Sequence, residues 1–251
     1  MQVVIDGLLT NYQKQGSGKK CVLLLHGWGD SLATFSDLSR KLEKTYTVYS
    51  LDLPGFGQSQ MPDEAWSLDN YGHFIHNFLE KLGVNDLLAV IGHSNGGAVA
   101  IRCIALQAFQ PKKLVLLSAS GIRNSQPVRR LTLKVIAKTG KVATFWLPQR
   151  HKRKLQKKLY GVAASDMLVV PHMKETYKIT VRQDVQEDAK HVQQPTLLIY
   201  GASDKATPPE FGNIYKKLIP NAKLEIVDNA EHFVHHDQPE LVTKLIEEFL
   251  K

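Results

Sequence analysis

An open parallel α/β sheet is the architecture this sequence predicts, on three observations. Short unbroken apolar runs recur along the chain, each bounded by Gly, Pro or Asp. Helical apolar patterns lie between them. One stretch in the middle differs sharply in charge from everything around it. The chain has 251 residues, 43% apolar and 22% charged, enough to bury a full core as one large domain or a domain carrying an insertion. That composition excludes a disordered chain, and there is no collagen-like or heptad period. No uncharged apolar run approaches the roughly 20 residues of a membrane-spanning helix.

The elements follow in order. Residues 3–5 and 8–13 read as two strands around Asp6-Gly7, a hairpin signal. Residues 21–25, 47–53, 87–91, 114–117, 196–200 and 224–227 are continuous apolar runs, as expected of strands buried on both faces of a parallel sheet. Between them, Phe35, Leu38 and Leu42 share a helical face. Tyr71, Phe74, Phe78 and Leu82 share another, with Ser67 as N-cap and Gly83 as terminator. Residues 98–109 form a third helical pattern ending before Pro111. Leu241, Leu245 and Phe249 mark a last one behind Pro239. Strands alternating with helices mean crossover connections and a parallel sheet.

The charge shift falls on residues 122–185, with 15 Lys and Arg against 3 Asp and Glu, while the rest of the chain carries 17 against 21. Helical stripes replace strands there: Val128, Leu131, Val135 and Ile136; then Leu155 and Leu159; then Met173 and Tyr177. Residues 122–190 therefore read as a helical insert over a core made of 1–121 and 191–251. Its basic run, Arg150-His151-Lys152-Arg153-Lys154 with Lys157-Lys158, reads as a solvated helix face, with weak contact to anionic surfaces as the functional alternative. Aromatics are not interleaved with these charges and no nucleic-acid motif is present, so no nucleic-acid partner is expected. Cys21 and Cys103 read as two small buried thiols, and no metal-ligand spacing is visible. Met1 leads into Val3-Val4-Ile5 with no basic, apolar and cleavage regions in succession, which points to a cytoplasmic protein.

The chemistry is carried by Gly92-His93-Ser94-Asn95-Gly96, a Gly-x-Ser-x-Gly pattern between an apolar strand and a helix. A nucleophilic serine on a sharp strand-to-helix turn needs flanking glycines to leave room. A serine hydroxyl is a poor nucleophile without a base beside it. Asp204 follows one later strand and His232 follows the last, so all three fall at the carboxyl ends of parallel strands, where sites form. His232 is expected to take the Ser94 proton and Asp204 to fix the imidazole tautomer. Backbone amides of Trp28, in His26-Gly27-Trp28-Gly29, and of Asn95 are the expected oxyanion donors. Asp228 is the rival acid, with a structural role the more economical reading. His26 and His93 read as packing histidines, and His235 and His236 as solvent-facing.

Together these motifs resemble the α/β-hydrolase fold group that carries a helical cap. The resemblance rests on His26-Gly27-Trp28-Gly29, on Asp52-Leu53-Pro54-Gly55-Phe56-Gly57-Gln58-Ser59, on Gly92-His93-Ser94-Asn95-Gly96-Gly97 and on the Asp204 and His232 pair. It implies an eight-stranded, mostly parallel sheet with helices on both faces and a cap after the sixth strand. It also implies that residues 52–59 form a loop near the pocket rather than a catalytic element. Two positions depart from the group's pattern: Asn95, which makes the wall beside the nucleophile more polar, and Ala230-Glu231 ahead of His232. The implied activity is hydrolysis of a carboxylic ester or related small acyl compound through an acyl-enzyme, without cofactor or metal. Acyltransferase, lyase and carbon–carbon bond hydrolase chemistry on the same triad remain open, and a binding protein without turnover ranks last. Ser94 argues against dehalogenase or epoxide hydrolase chemistry, for which the group uses an aspartate there. Phe145, Trp146, His172, Met173, Tyr177 and Phe233 are the candidate pocket residues, some of them serving only to pack the cap on the core.

Overall fold

A computed structural model describes residues 1–123 and 170–251. Among these residues one sheet has eight strands: β1 (Gln2–Ile5), β2 (Leu8–Gln15), β3 (Cys21–Leu25), β4 (Thr47–Leu51), β5 (Leu87–His93), β6 (Lys113–Leu117), β7 (Thr196–Gly201) and β8 (Ala222–Val227). Their spatial order is β1-β2-β4-β3-β5-β6-β7-β8. β2 pairs antiparallel with β1 and β4, and every other pairing is parallel. The described helices are α1 (Ser36–Leu42), α2 (Leu68–Lys81), α3 (Asn95–Ala105), α4 (Lys174–Thr180), α5 (Gln186–Ala189), α6 (Pro209–Leu218), α7 (Val234–Asp237) and α8 (Pro239–Leu250). None is long and apolar enough to cross a membrane.

The period of two in a strand explains why these runs are apolar throughout. Leu23 and Leu25 of β3 join a core with Tyr71, Phe74 and Phe78 of α2 and Val99 of α3. Val22 and Leu24 join a second core with Leu38 and Leu42 of α1 and Val242 and Ile246 of α8. Both faces are covered, so both side-chain sets must be apolar. The crossover from β3 to β4 runs through α1 on one face; that from β4 to β5 runs through α2 on the other. The sheet thus reverses its direction of growth at β3, which opens a crevice at the carboxyl ends of β3 and β5.

Local signals place the helices. Ser67 accepts from Asn70 N and Asn70 Oδ1 accepts from Ser67 N, a reciprocal cap on α2, and Gly83 ends it at φ 66°. Arg102 of α3 donates to both oxygens of Asp69 (2.7 and 3.2 Å) and to Asp188 (2.8 Å), tying α2, α3 and α5. Cys103 is buried and Cys21 half-buried, both as free thiols.

Several expectations are corrected. The third helix occupies Asn95–Ala105, starting directly after Ser94 and ending before Gln107 takes φ 57°. β8 is half-exposed rather than buried because it forms the sheet edge, leaving Ile226 42% exposed. In α8 the inward stripe is Val242, Ile246 and Leu250, while Leu241 faces out at 44% exposure. Both stripes have the same four-residue spacing, so periodicity alone does not choose between them. Helix α6 matches no helical pattern named above; it opens at Pro209, where a proline's missing N–H costs nothing.

The ends of the segment between β6 and β7 meet. Val185 N donates to Gly121 O at 2.9 Å and Arg123 N to Asp184 Oδ2 at 3.1 Å. The candidate residues Phe145 and Trp146, and the basic run 150–158, lie outside the described residues.

The 52–59 loop is pinned by Asp52, which is buried. Its carboxylate accepts from Leu32 N (2.7 Å), Gln58 N (2.8 Å) and Asn11 Nδ2 (2.8 Å). Each unpaired buried donor costs about 1–3 kcal/mol. Asp52→Ala is therefore expected to lower stability by about 2–5 kcal/mol, read as a lower urea midpoint at unchanged slope. An unchanged midpoint would show that this clasp contributes nothing.

Candidate active site

Ser94 stands between β5 and α3 at φ 50° and ψ −117°. Non-glycine residues in such regions cost about 1–3 kcal/mol and persist only where their surroundings hold them. Ser94 N donates to Leu117 O at 3.0 Å; Ser94 O accepts from Gly97 N and Ser120 N, each at 3.0 Å. The glycine at 96 is required by contact: a Cβ there would lie 2.2 Å from Leu25 O, because the first turn of α3 presses on the end of β3. At Gly27 a Cβ would come within 3.1 Å of Ser94 Cβ, so the loop after β3 lies directly against the Ser94 turn.

Three side chains from separate strand ends line up here. Ser94 Oγ is 3.0 Å from His232 Nε2, and His232 Nδ1 is 2.9 Å from Asp204 Oδ2. With Nδ1–H donating to the carboxylate, Nε2 is left to accept from the serine hydroxyl. Asp204 is buried, and its Oδ1 accepts from Ala206 N (2.8 Å) and Thr207 N (3.0 Å). Burial pushes the Asp204 carboxyl up, but hydrogen bonds from His232 and Thr207 outweigh it and hold the group below its ordinary 3.8. Asp228, the rival acid, is exposed.

Three nearby histidines, His26, His93 and His235, are kept neutral by burial. His26 Nδ1–H donates to Gly27 O at 2.7 Å while Nε2 accepts from Leu53 N at 2.9 Å, so one ring ties the loops after β3 and β4 together. Burial lowers its pKa. His93 Nε2–H donates to His232 O at 3.0 Å, fixing the backbone at His232, and burial holds His93 well below its ordinary value. His235 departs from expectation: it is buried rather than solvent-facing, stacks on Phe35, and is pushed down to about 3 by burial. Beside it, His236 Nε2–H donates to Thr34 O at 2.7 Å. Nothing in the local sequence marks this packing, which depends on α7 folding back under the loop that follows β3.

A cavity of about 650 Å³ opens beside Ser94. Trp28, Asn95, Ile122, Tyr177, Phe211 and Phe233 are among its lining residues. Tyr177 of α4 lies against Trp28, with ring centroids 5.1 Å apart. Of the other candidates, His172 and Met173 do not line it. His172 Nε2–H donates to Gly55 O at 3.2 Å, and a Cβ on Gly55 would run into Met173, so both fasten this segment to the 52–59 loop. Phe211 and Ile122 carry no motif that would have flagged them; only the folded cavity groups them with the site. Asn95 Nδ2 is buried with no partner among the described residues.

A buried carboxylate, an imidazole and a serine hydroxyl thus stand in series at the crevice of an open α/β sheet. The chain belongs to the alpha/beta hydrolase family, whose model matches residues 22–245. It is 25% identical to an uncharacterized hydrolase, YugF, of Bacillus subtilis, over 98% of this chain and 96% of that protein. It is 26% identical to Lipase 1 of Psychrobacter immobilis, over 84% of this chain and 70% of that one. In fold it is similar to the enol-lactonase of Burkholderia xenovorans, with a TM-score of 0.76, 20% identity, and coverage of 100% of this chain and 99% of that one.

Because the Asp204 carboxyl titrates lower in the folded protein than in the unfolded chain, its contribution is full above about pH 4 and is lost as pH falls through the depressed value. The stability difference between wild type and Asp204→Asn is thus expected to shrink as pH falls from about 5 to about 2, measured by thermal unfolding. A difference that stays constant or grows over that range would contradict a depressed carboxyl.

Proposed function

We propose that the protein is a serine hydrolase cleaving a carboxylic ester or related acyl compound through an acyl-enzyme on Ser94. The observation that carries this reading is the unbroken chain from Ser94 Oγ through His232 to Asp204, at 3.0 and 2.9 Å. His232 takes the hydroxyl proton as Ser94 attacks the acyl carbon, and returns it to the leaving group. Water, deprotonated by the same imidazole, then releases the acid. Asp204 holds the productive tautomer and stabilises the imidazolium. The backbone N–H groups of Trp28 and Asn95 receive the developing oxyanion, Asn95 being the first residue of α3, where helix N–H groups lack intrahelical partners. Tyr177, in the described part of the segment read as a cap, contributes to the wall of the cavity, and the substrate is a small molecule bound there. No cofactor takes part.

The membership in a hydrolase family, and the lipase name among its relatives, support acyl chemistry. Short p-nitrophenyl esters test it. An initial burst and continuing turnover are expected, with Ser94→Ala lowering kcat on the order of 10⁶-fold and Asp204→Asn on the order of 10⁴-fold. Covalent labelling by a fluorophosphonate without turnover of any ester, lactone or thioester would contradict the hydrolase reading and favour transfer to an acceptor other than water.

A further inference from the structure

A fourth side chain touches two members of the triad. Thr207 Oγ1 lies 2.8 Å from Asp204 Oδ2, 3.1 Å from His232 Nδ1 and 2.9 Å from the carbonyl oxygen of Ser118. Its backbone N–H also donates to Asp204 Oδ1. The residue is buried at 4% exposure, so water does not substitute for these partners.

The carbonyl on the far side is held by a strained residue. Ser118, the first residue after β6, has φ 44° although it is not glycine. Its own Oγ is buried with no partner among the described residues, so the side chain does not account for the conformation. What the turn achieves is to aim Ser118 O at Thr207. Its N–H meanwhile stays in the sheet, donating to Ile199 O at 2.8 Å. Two residues on, Ser120 N donates to Ser94 O. The exit of β6 therefore connects the nucleophile turn to the acid loop, with the Thr207 hydroxyl as the link. An observed backbone outlier beside a site is a reason to look for a function it serves.

We propose that Thr207 is a positioning residue for the His232–Asp204 pair, braced by the Ser118 turn. This rests on the reading of Ser94, His232 and Asp204 as a hydrolytic triad. The hydroxyl has one proton and two acceptors at nearly equal distance. Donated to Asp204 Oδ2, it restrains rotation of the carboxylate. Donated to Ser118 O, it turns a lone pair toward the His232 Nδ1–H, which then shares its proton between Oδ2 and Oγ1. Either way the imidazole plane is held where Nε2 meets Ser94. No covalent bond to Thr207 forms or breaks.

Thr207→Val keeps the branched shape and the backbone N–H but removes the hydroxyl; Thr207→Ser keeps the hydroxyl. Steady-state kinetics on a p-nitrophenyl ester and the downfield proton NMR signal of the His232 Nδ1–H are measured for both. Small misplacements of reacting groups cost up to about 10²-fold. The Val variant is expected to lose about 10- to 100-fold in kcat with KM within about twofold, and its Nδ1–H signal to shift or broaden. The Ser variant is expected to recover most of the rate and the signal. If the Val variant does not fold, Thr207→Ala carries the same readouts without added bulk. A folded Val or Ala variant with wild-type kcat and an unmoved signal overturns the proposal, as does a Ser variant as slow as the Val. Wild type that reacts with fluorophosphonate while the variants match it overturns this proposal alone. Wild type that neither turns over esters nor reacts with fluorophosphonate overturns the triad reading and this one with it.

Discussion

The backbone at Ser94 is in a conformation that a serine adopts only at a cost, and the centre of the molecule is arranged to hold it there. The strand before it is locked into the sheet, the helix after it starts at once, and Leu117 and Ser120 bracket it from β6. Gly96 lets the helix start press on the end of β3, and Gly27 lets the facing loop press on Ser94 itself. A hydroxyl raised above a sheet edge in this way faces the crevice at which the strand order reverses. The strain is local and the restraint comes from three neighbouring strands, which is how such a conformation survives in a marginally stable chain.

Electrostatics follow from the same packing. Asp204 is ionised in a buried setting because backbone and side-chain donors converge on it. His26, His93 and His235 are kept neutral by burial, and two of them, His26 and His93, use both their position and a hydrogen bond to fix loops rather than to titrate. Ser94, His232 and Asp204 are thus held by hydrogen bonds between loops that are distant in the chain, a network whose members depend on one another.

Much of this was legible in the sequence because each signal had a local physical cause. Continuous apolar runs reported strands covered on both faces, Ser67 and Gly83 reported the ends of α2, and the turn glycines reported close backbone approach at Ser94. Asp204 and His232 were legible as strand-end residues. What was not legible depended on long-range packing. The inward face of α8 is the one that packs against α1 and the sheet, which spacing does not reveal. The exposure of β8 follows from its place at the sheet edge. His235 is buried because α7 meets Phe35 and Thr34, some two hundred residues away in the chain. Thr207 and Ser118 carry no motif, and only the folded chain brings one hydroxyl to Asp204, His232 and a strained carbonyl.

Intact-protein mass spectrometry on a slowly deacylating ester, with peptide mapping of any adduct, probes the covalent step most directly. A mechanism through Ser94 predicts a mass increase equal to the acyl group, on the peptide that contains Ser94, decaying at the rate of product release. An adduct confined to another residue, or steady turnover with the Ser94 peptide never modified, would contradict it.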